Sequence, residues 1–209
     1  KTYQMELALG APDTSQPSQI QALYMKGCLA DKLDISIGTA TKVTNNISFI
    51  ATDSETRAST VGLKSGNRPT LEDSDAYNTS SDVKRIKMAR VSNTDEAAAK
   101  FFAFVTDLNL SISNNHKPAK AVGVLGAFDI SAGTFAVSGD VTAYFTDIEA
   151  INSIRNNEDI TIDAVVVKDN AGFVIDLPLL SLGGGNPNIQ LDESVKLPLT
   201  MDAATAASI

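Results

Sequence analysis

His116 is the only histidine and Cys28 the only cysteine in the 209-residue chain, so a Ser-His or Cys-His nucleophilic pair has a single position to use. His116 stands in Asn114-Asn115-His116-Lys117-Pro118, a turn sequence, and Cys28 follows Gly27 on the way into a strand pattern. These contexts read as a loop histidine and a buried thiol. Glu72-Asp73-Ser74-Asp75 has the outline of a calcium loop. Counted from Asp73, however, the sixth position is Asn78 instead of Gly and the twelfth is Lys84 instead of Glu, so a solvated acidic loop is the better reading. Gly183-Gly184-Gly185-Asn186-Pro187 lacks the Gly-Lys-Ser/Thr ending of a phosphate loop and reads as a turn between strands. No G-x-S-x-G elbow is present. One cysteine excludes an internal disulfide, and one histidine excludes most metal sites. The residues therefore point to no catalytic, cofactor-binding or metal-ligating set and to no enzyme.

Charge and composition narrow the classes further. With 17 Lys+Arg against 25 Asp+Glu the formal net charge is -8, opposite to the basic face that neutralises phosphates in nucleic-acid binders. Aromatic residues are 6% with no Trp, which leaves little for stacking on bases or sugars. Hydrophobic residues at 43% suffice for a packed core and exclude wholesale disorder. No run approaches the 18 or more uncharged apolar residues of a membrane-spanning helix, and Lys1 to Pro12 has no basic region followed by an apolar run.

The elements that would position side chains are mostly strands. Leu33, Ile35 and Ile37 alternate with Asp34 and Ser36, the period of two of a half-buried strand. Val43 to Ala51 repeats the pattern with Ile47 and Phe49 on one face, and Phe104 to Ser113 with Leu108, Leu110 and Ile112 inward and Asn109 and Ser111 outward. Gly133–Phe145, Ile160–Val167, Phe173–Leu180 and Glu193–Leu199 are further strands, and Asp169-Asn170-Ala171-Gly172 is a hairpin turn. Ala121 to Val137, the most apolar stretch, reads as paired strands. One helix is expected at about residues 146–156, where Thr146 and Glu149 have the spacing of a capping box ahead of an Ile148, Ile151, Ile154 stripe. A shorter helical turn fits Thr94 to Lys100. The fold class is mainly β: a sandwich or barrel-forming sheet with one flanking helix.

Two segments stand outside this pattern. Residues 1–20 read as an N-terminal arm, because Pro12 to Gln19 is polar and interrupted by proline. Residues 52–87 read as a long polar loop inserted in a single domain spanning 21–209, and a loop of that length usually serves a function or a partner. There is also a faint duplication. Leu33–Ile37 resembles Leu108–Ile112, and each is followed by a strand with a polar start, Asn45–Phe49 and Gly139–Ala143. Two such ribbons would make a sheet wetted on one side.

The order of these motifs resembles the tail tube (major tail) proteins of tailed bacteriophages. The carrying residues are Met25-Lys26-Gly27-Cys28 through Leu33-Asp34-Ile35-Ser36-Ile37 with Thr44 to Phe49, then Val105 to Ile112 and Ala121-Val122-Gly123. Phe135 to Asp147, leading into the helix, and Phe173-Val174-Ile175-Asp176-Leu177-Pro178 complete the series. The likeness covers residues 20–51 and 101–204.

This resemblance implies a structural subunit, a β-sandwich assembling into hexameric rings that stack into a hollow tube and conduct genomic DNA during ejection. It implies a homo-oligomer in the virion tail, assembled in the host cytoplasm, with tape measure and terminator or baseplate proteins as partners. Double-stranded DNA would pass without specific binding: six copies at -8 give -48 per ring, which disfavours adsorption. Open sheet edges are liabilities that ring closure removes, and about 24 strands would enclose a duplex. Asp34, Ser36, Asn109 and Ser111 are then the lumen-facing candidates, and Arg57, Lys64, Arg68, Glu72, Asp73 and Asp75 the candidates for contacts between rings. The Ser/Thr/Asn-rich strands also fit an extracellular β-sandwich binding or adhesin module, and a carboxylate hydrolase is a third class with no residue to nominate.

Overall fold

A computed structural model of the protein describes residues 1–9, 20–66, 70–91, 100–102 and 104–203. The expected turn at Thr94 to Lys100 lies outside these residues except for Lys100. So do Pro12 to Gln19 and Arg68. The strands are β1 (Tyr3–Leu9), β2 (Gln21–Gly38), β3 (Thr44–Ile50), β4 (Asp53–Ala58), β5 (Val83–Arg90), β6 (Val105–Ser113), β7 (Lys117–Ala119) and β8 (Asp129–Ser131). They continue with β9 (Ala136–Tyr144), β10 (Ile160–Lys168), β11 (Ala171–Gly184) and β12 (Lys196–Ala203). One α-helix, α1 (Glu149–Arg155), completes the described elements apart from a 3-10 turn at Ser59–Val61. The protein is mainly β, with a large antiparallel sheet. It falls into two compact units, one of residues 1–33, 47–74 and 113–135 and one of residues 34–46, 75–112 and 136–209.

In the first unit β2 pairs antiparallel with β1 and with β4, and β7 pairs with β8. Its buried side chains include Ile20, Ala22, Tyr24 and Cys28. The Tyr24 hydroxyl lies 2.9 Å from Glu6 Oε2 and 3.2 Å from the Gly62 carbonyl, and it accepts the Lys64 N–H at 2.8 Å. A buried phenol so provided with partners fixes the chain after β4 where sequence reading expects only loop. The 52–87 segment thus contains β4, the 3-10 turn and the start of β5.

The second unit carries the large sheet, in the order β2, β6, β9, β12, β11, β10, β5. The order follows from alternation. Leu108 and Leu110 on β6, Val141 and Ala143 on β9, and Leu197, Leu199 and Met201 on β12 are all buried, while the residues between them face water or are half-buried. β10 buries Ile160, Ile162, Ala164 and Val166 by the same rule. Phe101, Phe102 and Ala150 close the core. The two ribbons seen as a duplication are β2 with β3 and β6 with β9, and β2 and β6 are themselves neighbours.

The helix differs from expectation at its start. Its N-cap is Ile148, in helical conformation and without a capping side chain. The Thr146 hydroxyl donates to the Phe101 carbonyl at 3.2 Å instead, and Asp147 Oδ1 accepts the Glu149 N–H at 2.9 Å. Tertiary packing has claimed the residue that local sequence assigns to capping. Ala150 and Ser153 are the buried positions, and Ile148 is exposed.

Two carboxylates anchor turns of this unit. Asp82 accepts the Asn78 N–H at 2.7 Å and the Ser81 hydroxyl at 2.8 Å, and these bonds hold its carboxyl below the usual range. Glu158 accepts the Ser153 hydroxyl at 2.7 Å and is lowered chiefly by that bond. A lowered folded-state value contributes stability above the unfolded-state value and loses it as pH falls through the folded one. Thermal unfolding is therefore expected to hold steady from pH 7 to about 5 and decline below about 4. Asp82→Asn and Glu158→Gln should flatten that acid limb, and an undiminished limb in both variants would refute the assignment.

Candidate functional site

The half of β2 that belongs to the second unit presents Asp34 and Ser36 on one face and buries Ile37 on the other. Asn109 and Ser111 take the corresponding face of β6, because Leu108 and Leu110 occupy the core side. The structure brings two of the four candidates into contact: the Ser36 hydroxyl donates to Asn109 Oδ1. Asn109 then donates through Nδ2 to Asp140 Oδ2 on β9 at 2.9 Å. Asp140 is in register with Thr200 on β12, and Thr200 with Gly183 on β11. A polar row thus crosses four neighbouring strands and ends at Gly183 on the fifth. A second row runs from Ser138 to Asp202 to Ser181 by the same registers. Asp34 and Ser111 lie on this face, both half-buried.

Small side chains at these positions leave the face low and wet, and the acids on it are many. Asp34, Asp107, Asp140, Asp202, Asp176 and Asp163 place one carboxylate on each of six strands of the sheet. Cations gather at the end of the strand order, where β5 carries Lys84, Arg85, Lys87 and Arg90. Arg85 Nε meets Asp163 Oδ1 at 2.6 Å, and Arg90 reaches Glu149 at 3.1 Å and Glu158 at 3.3 Å. Counted by unit, residues of the first carry 8 Lys+Arg and 8 Asp+Glu, and those of the second carry 9 and 17, so the whole of the net charge of -8 belongs to the second. Sequence reading found Ser36 and Asn109 through alternation and did not find Asp140, Thr200 or Asp202 as their companions.

The residues nominated for contacts between rings are dispersed. Arg57 lies on β4, with Nε 3.0 Å from Glu55 Oε1. Lys64 pairs with Glu55 at 3.1 Å and stands 4.7 Å over the Tyr24 ring, so its cation is engaged inside the first unit. The hydrogen bond from Lys64, first among the causes, holds the Glu55 carboxyl below its usual range. Glu72 and Asp73 are exposed, and Asp75, also exposed, meets Lys168 at 3.2 Å. Arg68 is outside the described residues.

His116 is tied to the fold by its backbone, the N–H donating to Asp31 Oδ1 at 2.7 Å, with Nδ1 3.2 Å from the same oxygen. Cys28 is fully buried. Among the described residues no group of three or more His, Cys, Asp and Glu is arranged to hold a metal ion, and no helix is long and apolar enough to cross a membrane. The second unit has a recess of about 170 Å³ beside Thr39, Thr79 and Thr106, and the first a shallow one of about 430 Å³ beside Met25, Asp53 and Lys120. Neither joins a nucleophile to a base.

An antiparallel sheet with one buried and one wet face, whose polar side chains bond each other across strands, is the frame of this β protein. Comparison with family models agrees: the model described as phage tail tube protein matches residues 2–203, and the chain belongs to that family. It is thereby a virion tail component that self-associates in a tail tube. No curated protein matches the chain.

Proposed function

We propose that this protein forms hexameric rings that stack into a tube, with the polar rows of the second unit turned toward a lumen through which genomic DNA leaves. The observation that carries this reading is the row Ser36–Asn109–Asp140–Thr200, set on the unit that bears the whole net negative charge. Within these rows a duplex sliding past small hydroxyls and carboxylates meets no phosphate-binding cation, and so gains little from counterion release there. The end of the strand order supports ring closure. β5 pairs with β10 along Val83–Arg90, and on its other side, among the described residues, Met88 accepts the Phe101 N–H and Ala89 bridges to Lys100. A neighbouring copy would satisfy the remaining edge.

Residues 1–20 and the exposed stretch around Glu72 and Asp73 serve contacts between neighbouring copies in this reading, on a single tube-forming domain. Tape measure, terminator and baseplate proteins meet the ends of the tube, and assembly takes place in the host cytoplasm. The subunit has no catalytic role. Negative-stain microscopy of the overexpressed protein tests the proposal directly. Rings or tubes are expected, and a persistent monomer at high concentration is the result that would remove it. The lumen assignment has its own test. Asp34→Lys should leave tube yield near wild type and slow genome ejection, since a ring of cations on the channel wall would hold phosphates; normal infectivity would turn this face away from the DNA path.

A further inference from the structure

The β7–β8 hairpin of the first unit ends in an apolar tip whose side chains are exposed among the described residues. Val122 and Leu125 are 106% and 91% exposed, and Phe128 and Val124 are exposed beside them. Exposed apolar side chains gathered in one place mark an interaction surface. The tip is also held in shape. The Ala127 N–H donates to the Thr52 carbonyl at 2.8 Å and the Phe128 N–H to the Ala119 carbonyl at 3.0 Å. Gly126 has φ +82°, and a Cβ there would lie 2.4 Å from the Thr52 oxygen, so this turn accepts glycine alone. A surface ordered in advance loses less entropy on binding.

Charge and chemistry together indicate the occupant. The hairpin carries Lys117 and Lys120 against the single Asp129. The second unit has an exposed apolar patch of its own: Phe104, Tyr144, Phe145 and Ile148 are 70%, 37%, 37% and 55% exposed. They adjoin, because the Tyr144 N–H donates to the Phe104 carbonyl at 3.0 Å and Phe145 to Ile148 are the next residues along the chain. Asp147 stands in the same stretch, followed by Glu149, which Arg90 meets at 3.1 Å, within the unit that holds all the excess negative charge. An aliphatic knob with lysines and an aromatic seat with carboxylates are complementary in both respects.

We propose that the hairpin tip of one copy docks on the Phe104, Tyr144, Phe145, Ile148 patch of a second copy. Because knob and seat are different surfaces, the contact is heterologous and propagates from subunit to subunit, closing a ring or extending a stack. The inference rests on the tube reading and names one of its interfaces.

Two experiments on the full chain test it. Leu125 replaced by the photo-crosslinking residue p-benzoylphenylalanine should give covalent dimers on irradiation of assembled protein, with the linked peptide containing Phe104 or Tyr144–Glu149. Links to other peptides, or none in formed tubes, would overturn the proposal. The double variant Val122→Asp/Leu125→Asp should unfold at the wild-type temperature, since both side chains are exposed, and yield at least about tenfold less assembled protein. Wild-type yield from that variant defeats the docking inference and leaves the tube reading standing. A wild-type chain that never assembles defeats the tube reading and this inference with it.

Discussion

An alanine at Gly139 is expected to destabilise the second unit by about 1–3 kcal/mol, and a valine there by more. The reason is the closeness of two backbones. A Cβ on Gly139 would stand 2.3 Å from the carbonyl oxygen of Asn109 and 3.2 Å from Met201 Cε. The methionine end can swing aside, but the carbonyl moves only if β6 moves. Asn109 is the residue that accepts from Ser36 and donates to Asp140. A methyl group on the core side of β9 thus displaces the polar row on the other side. Gly139→Ala should lower the urea midpoint and, in assembling protein, the yield of tubes. An unchanged midpoint would mean that β6 and β9 yield more easily than their spacing implies.

Leu199→Ala should cost about 2–5 kcal/mol, the range for a leucine removed from a close-packed core, while Thr200→Ala, one residue along, should stay within about 0.5 kcal/mol. Leu199 is 1% exposed and in register with Val141, itself fully buried. Thr200 is exposed on the opposite face beside Asp140. The contrast tests the period of two on which the assignment of core and wet faces depends. Urea unfolding of the two variants side by side reads it, and equal losses would show that β12 is not divided between faces in this way.

The particular elements show why some of this was legible beforehand. β6, β10 and β12 announce themselves through strict alternation, since a strand half in oil and half in water must alternate. The same reasoning found Asp34, Ser36, Asn109 and Ser111 as one class of position. It failed at Thr146, whose hydroxyl is taken by the Phe101 carbonyl, because a cap is a local preference worth about 1 kcal/mol that a tertiary partner can override. It also passed over β4, whose alternating charges, Asp53, Glu55 and Arg57, look like loop until Lys26 and Lys64 pair with them.

By itself the amino-acid sequence determined the mainly β class, the helix after β9 and the acidity. These depend on residue type and near-neighbour period, which a linear chain carries in full. Only the tertiary structure decided that Asn109 meets both Ser36 and Asp140, that Thr200 extends the row from 60 residues further on, and that all the net charge gathers in one unit. Register between strands distant in the chain is set by how their buried faces pack together, and that packing energy belongs to no single segment.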